Sequence, residues 1–481
     1  MTEHWANLDL HLNLNPDGSR LGRSLEDALR AAVRDRRLPA GTRLPSSRAL
    51  AADLGIARNT VADAYGQLVA EGWLAARTGA GTWVTGPGDQ AERTGVTDGG
   101  IVTGRAGVPI GGGRPATAFA YDLHPGVPDL SAFPRREWLA ASRRALAVSP
   151  DHVLDYPDPR GLLVLREAIA GYVARARGVA ADPERIVVCG GFTHGLAVLC
   201  HVLRTRGAGA LAVESHGLPE HRAVIERAGL RLAPLPVDGN GAVPDDAVLA
   251  PAGAALLTPA HQYPLGMTLA PDRRRLFADW AAGTGGVLIE DDYDGEFRYD
   301  RHPVGAMQAL APEHVVYGGT ASKALAPGLR LGWLAVPGRL LEEVAAAARL
   351  AGGGPDAISQ LALTEFITSG GYDRQVRHAR LAYRRRRDQL VSVLGERVPG
   401  VRVTGVAAGL QALVLLRPGQ AEAGVVAAAA RHDLRLLGAG DTSAGGPAWH
   451  APALVIGYAC PPPHAFAPAL ARLTAALVYD R

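Results

Sequence analysis

Residues 318–332 read GGTASKALAPGLRLG, and Lys323 within them is the only lysine among the chain's 50 lysine and arginine residues. Lysine differs from arginine because its amine can lose a proton at modest cost and attack a carbonyl carbon to form a Schiff base. The hydroxyls of Thr320 and Ser322 and the guanidinium of Arg330 are groups that bind phosphate. An amine beside phosphate ligands indicates pyridoxal 5'-phosphate (PLP), which has one aldehyde and one phosphate. The alternative is an ordinary lysine in an arginine-biased protein.

The overall composition predicts a globular protein. The 481 residues indicate two or three domains, with 47% hydrophobic and 20% charged residues. A net charge of +3 neither favours nor excludes nucleic acid. The odd set of three cysteines, without metal-site spacing, indicates buried thiols in a reducing compartment. We find no secretory signal and no run of about 20 apolar residues, so we expect a cytoplasmic protein without a membrane partner.

The first predicted module spans residues 10–85. Apolar residues recur at helical spacing over residues 23–37 and again over about 58–71, which predicts two amphipathic helices. Between them, Ser46 can cap a short helix that starts just after a proline, and Gly55 can end it. These elements predict three helices with a tight turn before the last one.

The turn has the spacing of a helix-turn-helix. Ala51 is small, Gly55 permits a positive φ and Val61 is apolar, as two helices that meet at a tight turn require. The second helix of the pair then presents polar side chains at its N-terminal end, where phosphates and base edges bind: Arg58, Asn59 and Thr60. Residues 72–84 follow as two short strands around a glycine-rich tip, which predicts a wing.

This segment resembles the winged helix of the GntR family almost throughout, from LPAGTRLPSSR at residues 38–48 to GAGTWV at residues 79–84. The resemblance implies binding to double-stranded DNA through Arg48, Arg58, Asn59, Thr60, Thr78 and Gly79. Ala57 departs from the family, which usually places a capping Ser or Thr there. Residues 1–86 carry 10 arginines against 9 acidic residues, so we expect affinity to come from the placed arginines and from dimerisation.

Residues 86–118 are rich in Gly, Thr and Pro without a helical or strand period, which predicts a flexible linker between domains. In residues 119–481, helical patterns alternate with short β-branched runs. The alternation predicts an α/β domain with a mostly parallel, helix-covered sheet and a ligand site beyond the carboxyl ends of the strands. The predicted strands cover residues 185–189, 210–214, 231–234, 254–258, 286–290, 314–317 and 332–336.

Two polar motifs follow predicted strands. Gly191, Phe192 and Thr193 lie at the start of a helix that the sequence predicts to open at Leu196, and backbone N–H groups there favour phosphate, although a glycine pair is a weak motif by itself. Residues 290–294 read EDDYD at a strand end. A metal site is one interpretation of four acids, and solvated loop acids are another, but no His pair adjoins them. In PLP chemistry a carboxylate such as Asp291 keeps the pyridine nitrogen protonated.

Residues 119–481 resemble a fold-type I aminotransferase, and the whole chain resembles the MocR/GabR subfamily of GntR regulators. The motifs are YPDPRG (156–161), TPAHQYPLG (258–266), EDDYDGEFRY (290–299) and the Lys323 stretch. The resemblance implies PLP as a Schiff base on Lys323, with the phosphate held by Thr320, Ser322 and Arg330 and by the Gly191–Thr193 turn. It also implies cofactor contacts from Asp291 to the pyridine nitrogen, from Tyr293 to the ring oxygen, and from His261 and Gln262. The subfamily further implies a domain-swapped homodimer and a small amine, an amino acid or PLP as effector.

Three departures limit the resemblance to an enzyme. Tyr263 stands where such enzymes usually have Asn, and Leu218 stands where a Tyr often stacks on PLP. No arginine occurs between Arg435 and Arg472, where amino-acid enzymes bind the substrate carboxylate; the polar residues there include Asp441, Thr442, Ser443 and His450. We therefore expect a PLP-responsive regulator whose effector lacks an α-carboxylate or is PLP itself. An active aminotransferase and a DNA-binding protein with an inert large domain are the alternatives.

Overall fold

The computed structural model describes residues 21–34, 38, 41–70, 74–77, 81–84, 119–299, 304–445 and 451–478. The chain forms two compact units, residues 1–108 and 109–481. The division falls within the predicted linker, and residues 85–118 lie outside the described part. Each unit has a hydrophobic core of its own.

The first unit contains three helices and a three-stranded antiparallel sheet among its described residues. The elements are α1 (Leu21–Arg34), β1 (Arg43–Leu44), α2 (Ser47–Leu54), α3 (Arg58–Ala70), β2 (Leu74–Arg77) and β3 (Gly81–Val84). Strand β3 lies between β1 and β2. The sequence predicted the two wing strands but not β1, because two residues are too few to show a strand period. The winged helix-turn-helix prediction is confirmed.

The turn between α2 and α3 has the predicted chemistry. The Ser46 hydroxyl oxygen accepts a hydrogen bond of 3.2 Å from a backbone N–H in the first turn of α2. Gly55 ends α2 with a φ of 66°, in the left-handed region that glycine adopts without strain. Val61 is fully buried, and the Tyr65 hydroxyl donates to the Pro45 carbonyl at 3.0 Å. These contacts fix the direction in which α3 leaves the turn.

The second unit is a layered α/β structure. Its described helices are α4 (Arg135–Val148), α5 (Leu163–Arg177), α6 (Phe192–Thr205), α7 (Pro219–Arg227), α8 (Asp246–Ala252), α9 (Pro271–Thr284), α10 (Gly338–Leu350), α11 (Ala357–Thr368), α12 (Gly371–Arg397), α13 (Glu422–Arg431) and α14 (Pro463–Val478). Its described strands are β4 (Tyr121–Asp122), β5 (Ile186–Cys189), β6 (Ala210–Glu214), β7 (Arg231–Leu235), β8 (Val237–Asp238), β9 (Gly241–Ala242), β10 (Ala254–Leu257), β11 (Val287–Asp291), β12 (Val315–Thr320), β13 (Gly332–Ala335), β14 (Arg402–Thr404), β15 (Ala412–Leu415), β16 (Leu434–Arg435), β17 (Leu437–Gly438) and β18 (Ala453–Ile456).

The central sheet has seven strands within the described ranges, in the order β5-β13-β12-β11-β10-β6-β7. Neighbouring strands are parallel except at β13, which is antiparallel to both β12 and β5. Alternate residues enter different cores: Leu256 packs with α6 and α10, whereas Leu257 packs with α8 and α9. Because both faces of the central sheet are buried, the sequences of its strands are continuous apolar runs. These seven strands are the seven that the sequence predicted, and the mostly parallel α/β fold is confirmed.

The short connection between β12 and β13 sets the direction of β13. A parallel partner needs a crossover of roughly a dozen residues or more, usually with a helix, and residues 321–331 form only turns and a 3₁₀ segment. The chain therefore reverses, and Thr320 pairs with Gly332 across the two strands. On its other side Gly332 pairs with Cys189 of β5. Lys323 consequently lies in a tight loop at the carboxyl edge of the sheet.

Glycine is required at this junction. A Cβ atom on Gly332 would lie 2.9 Å from Cα of Gly191, closer than real Cβ contacts. The start of β13 can therefore approach the residue before α6 this closely only because position 332 has no Cβ atom. Helix α6 begins at Phe192, four residues before the helix start predicted at Leu196.

A smaller antiparallel sheet, in the order β14-β15-β18-β17, lies toward the C-terminus. Residues 410–411, just before β15, reach the cavity described below. Within the described ranges, no helix is long and apolar enough to cross a membrane.

A buried ion pair anchors the loop after β11. Arg177 Nε donates to Asp292 Oδ2 at 2.6 Å, Nη2 donates to Asp292 Oδ1 at 3.1 Å, and Nη1 donates to the carbonyl of Gly295 at 3.0 Å. The two side chains are only 6% and 1% exposed. Two residues earlier on α5, Arg175 pairs with Asp373 at the surface, with side chains 61% and 33% exposed.

We expect Arg177→Ala to lower the free energy of unfolding by about 3–5 kcal/mol, because it leaves the Asp292 carboxylate buried and unpaired. Arg175→Ala, which removes a surface pair from the same helix, should cost about 0–1 kcal/mol. Urea denaturation followed by circular dichroism measures both. Equal decreases in the free energy of unfolding for the two variants would contradict the structural role assigned to Arg177.

Candidate functional site

A cavity of about 200 Å³ lies at the carboxyl ends of the central strands. Glu214 ends β6, Asp291 ends β11 and Thr320 ends β12, and all three line it. The cavity brings together nine of the residues predicted to form the Schiff base or to bind the cofactor: Gly191, Phe192, Thr193, Asp291, Tyr293, Thr320, Ser322, Lys323 and Arg330. The predicted residues His261 and Gln262 do not line it.

Lys323 presents its amine to this cavity. Its Nζ donates to the backbone carbonyl of Gly126 at 2.6 Å. Burial lowers the pKa of the Lys323 ammonium below its usual range, and the carboxylates of Asp291 and Asp294 oppose that shift. A lower pKa increases the fraction of neutral amine, the form that attacks a carbonyl carbon.

Asp291 is a buried carboxyl group with an unused acceptor. Its side chain is only 6% exposed, and Oδ1 has no hydrogen-bond partner in the structure. Oδ2 lies 3.8 Å from Nδ1 of His221. Burial raises the pKa of Asp291 well above its usual range, while the charge of Lys323 lowers it. Such an acceptor is satisfied by a buried cationic N–H, which is what a protonated pyridine offers.

His221 supports this end of the cavity as a neutral ring. Burial, and then the charge of Lys323, lowers the pKa of His221 to about 4. Its ring packs against Phe192, with the ring centroids 5.2 Å apart. His221 lies on α7, and sequence reasoning missed it because its contacts join elements far apart in the chain.

The residues around Thr320 and Gly191 have the composition of an anion cradle. The Thr320 hydroxyl donates to Oγ of Ser322 at 2.8 Å, and the Ser322 backbone N–H donates to Oγ1 of Thr320 at 3.1 Å. Gly191, with a φ of 82°, opens α6; a Cβ there would lie 3.4 Å from Nη1 of Arg330. A guanidinium, two hydroxyls and a helix N-terminus together suit a phosphate dianion.

Tyr293 is fixed by a chain of polar contacts. Gln411 Nε2 donates to the Tyr293 hydroxyl at 2.7 Å, and that hydroxyl lies 3.2 Å from Nδ1 of His261. The same Nδ1 lies 2.7 Å from Oδ2 of Asp294. His261 thus lies behind Tyr293. Gln262 makes internal hydrogen bonds, to Glu214 at 3.2 Å and to the backbone carbonyls of residues 216 and 263.

Sequence reasoning missed several residues that line the cavity, among them Gly126, His216, His221, Arg222 and Gln411. Arg222 carried a usable signal, since it is an arginine on the helix that follows a strand end. Leu218 and Tyr263, two of the three departures from the enzyme pattern, both line the cavity. No group of three or more His, Cys, Asp or Glu that could hold a metal ion occurs among the described residues.

The predicted DNA contacts lie around α3 of the first unit. Arg58 and Asn59, at its N-terminal end, are exposed, Thr60 is half-buried, and Arg48 on α2 is exposed. Thr78 and Gly79 lie outside the described residues.

Comparison with known proteins agrees with the division of the chain into two units. Residues 21–84 match the family described as "Bacterial regulatory proteins, gntR family", and residues 124–435 match "Aminotransferase class I and II". The HTH-type pyridoxine biosynthesis transcriptional regulator PdxR of Corynebacterium glutamicum is 34% identical over 85% of this chain and 86% of its own length. The probable rhizopine catabolism regulatory protein MocR of Rhizobium meliloti is 33% identical over 77% of this chain and 76% of its own length.

Among solved structures, the kynurenine aminotransferase of Pyrococcus horikoshii matches with a TM-score of 0.66 and 20% identity, covering 75% of this chain and 91% of that one. The likeness shows the fold of the second unit. Aminotransferases of class I and II depend on PLP, which is the cofactor of this domain. The chain belongs to the family of HTH-type transcriptional regulators that join a GntR-family DNA-binding domain to an aminotransferase class I and II domain.

Proposed function

We propose that this regulator senses PLP, or an amine that reacts with PLP, through Lys323. We further propose that binding of this ligand in the cavity changes how the winged helix binds operator DNA. The observation that carries the proposal is the convergence on one cavity of a buried amine, an unpaired buried carboxyl oxygen and an anion cradle. The three groups match the aldehyde, the pyridine nitrogen and the phosphate of PLP.

Each residue has a distinct part in this proposal. When bound, PLP supplies an aldehyde that condenses with a primary amine and a ring that withdraws electrons. Lys323 provides the amine, Asp291 accepts a hydrogen bond from the ring nitrogen, and Arg330 with Thr320 and Ser322 holds the phosphate. Tyr293, fixed by Gln411, positions its hydroxyl beside the ring oxygen. An effector must bind the two states of the protein with different affinity to shift the DNA-binding equilibrium.

We infer a homodimer as the working unit. Large apolar side chains are exposed on and just after α4 in the single chain, including Leu139 at 60%, Val148 at 84%, Leu154 at 57% and Tyr156 at 98% exposure. Several large apolar side chains exposed within one short stretch of the chain are consistent with an interface. A pair of winged helices would also add the phosphate contacts that a single, nearly neutral module lacks. Light scattering on the full chain tests the dimer.

The regulatory proposal is tested by footprinting the region upstream of the protein's own gene with and without PLP. A change in protection or affinity on adding PLP supports sensing. A turnover assay with a panel of amino donors separates sensing from enzymatic function, because sustained multiple turnover would show that the domain acts as an aminotransferase.

We expect Lys323→Ala, after incubation with PLP, to lack the visible absorption band that the wild type acquires. Lys323→Arg should lack it too, because arginine keeps the charge but has no amine that reacts with an aldehyde. Borohydride reduction of the loaded wild type should attach the cofactor's carbon to the peptide that contains Lys323, detected by mass spectrometry. A band that survives in both variants would remove Lys323 from the proposal.

We expect Arg58→Ala to weaken binding to the upstream region and to make the plot of log affinity against log salt shallower by about 0.9, the value for one lost phosphate contact. Arg30→Ala is the matched control, because it removes the same charge from the same module but lies on α1, where Arg30 pairs with Glu26 at 3.0 Å. Its slope should stay close to that of the wild type. An unchanged slope in Arg58→Ala would contradict a phosphate contact at this position.

A further inference from the structure

The cavity contains a second arginine that the cofactor contacts leave unused. Arg222 lies on α7, is half-buried and lines the cavity together with Arg330. Its Nη1 donates to the backbone carbonyl of Thr442 at 2.9 Å and its Nη2 to that of Asp441 at 3.4 Å. Both hydrogen bonds go to neutral carbonyls, so they place the guanidinium without neutralising it. Three of its five N–H groups are not used in these bonds.

The segment that holds Arg222 is itself held by the loop that follows β6. The Gly217 backbone N–H donates to the Thr442 carbonyl at 3.0 Å, and the Ala444 N–H donates to the Ser215 carbonyl at 2.7 Å. His216 and Ser443 form an antiparallel bridge between these contacts. This is the C-terminal region in which the sequence lacks the expected arginine. It contributes carbonyl groups that orient an arginine from α7 instead.

The two arginines act on different parts of the cavity. Burial, and then the charge of Arg222, lowers the pKa of His216, and the charge of Arg222 also opposes the rise of the Tyr263 pKa. Arg330 instead lowers the pKa of His194, again after burial. Arg222 is held by the carbonyls of residues 441 and 442, whereas Arg330 lies beside Gly191 at the start of α6, so the two guanidinium groups are anchored on different segments.

The carboxylates on its own helix do not cover Arg222. Glu220 and Glu226 are both exposed, and their charges only partly offset the lowering of the Arg222 pKa by burial. A guanidinium held in a partly buried position favours a partner anion that reaches it from inside the cavity.

We propose that Arg222 recognises a carboxylate group on the amine that the cavity receives at Lys323. The proposal rests on the proposed function and adds the chemical class of the effector, an amine with an anionic substituent. It revises the expectation from the sequence that the effector lacks a carboxylate: the missing C-terminal arginine is replaced by one from α7, held by the C-terminal segment.

The test compares amines that differ only in the carboxylate: L-alanine against L-alaninol, and 3-aminopropanoate against 3-aminopropan-1-ol. Binding to the PLP-loaded full-length protein is followed by the change in visible absorption and normalised to the reaction of each amine with free PLP. We expect at least one pair to favour the carboxylate by about 10- to 100-fold, the range for a hydrogen bond to a charged group.

Arg222→Gln should abolish the preference by weakening only the carboxylate member, and Arg222→Lys should retain part of it. Arg227→Gln, an exposed arginine on the same helix, is the control and should keep the wild-type ratio. A merely structural Arg222 would weaken both members equally and leave the ratio unchanged. If Arg222→Gln does not fold, Arg222→Lys decides, because an unchanged ratio there overturns the proposal.

The outcomes separate the two proposals. A wild type that acquires no visible band with PLP contradicts the proposed function itself. A wild type that binds PLP but prefers the carboxylate in neither pair overturns the assignment of Arg222. A preference that persists in Arg222→Gln also overturns it.

Discussion

The pairing of β13 between β12 and β5 is the constraint on which the rest of the site depends. Because the connection after β12 is too short to cross over, the chain must turn back at the carboxyl edge, and Lys323 lies in that turn. The pairing of Gly332 with Cys189 then brings Arg330 beside Gly191, the first residue before α6. A backbone ladder thus places the amine and the guanidinium, and side-chain packing only refines their positions.

The second determinant is burial of opposite charges that do not neutralise each other fully. Lys323 and Asp291 each oppose the pKa shift that burial imposes on the other, yet Oδ1 of Asp291 accepts no hydrogen bond. A buried acceptor without a donor is costly, and a ligand with a buried N–H removes the cost. The same reasoning applies to Arg222, whose hydrogen bonds go to neutral carbonyls and whose nearby carboxylates, Glu220 and Glu226, only partly offset the effect of burial. These groups make the protein without ligand less stable than its packing would allow, and they are where binding free energy can be gained.

The sequence predicted what local pattern and spacing control. The seven strands, the cap at Ser46 and the turn at Gly55 each depend on a few consecutive residues, and the structure confirms them. The sequence could not show that β13 runs against its neighbours, or that His221 and Gln411 reach the cavity, because these facts depend on pairings between distant segments. The start of α6 was misplaced because Phe192 and Thr193 read equally well as loop or as helix. His261 and Gln262 belong to a recognisable motif, but whether a motif residue lines a cavity or lies behind it is decided by tertiary packing.

The absence of every other lysine has a chemical consequence. PLP condenses with accessible primary amines. In a protein with many surface lysines, those amines would also form Schiff bases with PLP. Here the remaining basic side chains are arginines and histidines, and the guanidinium of arginine stays protonated and unreactive toward an aldehyde. The only side-chain amine lies inside the cavity. The chain therefore offers PLP one side-chain amine, and a Schiff base formed there would be free of the background that other lysines would add.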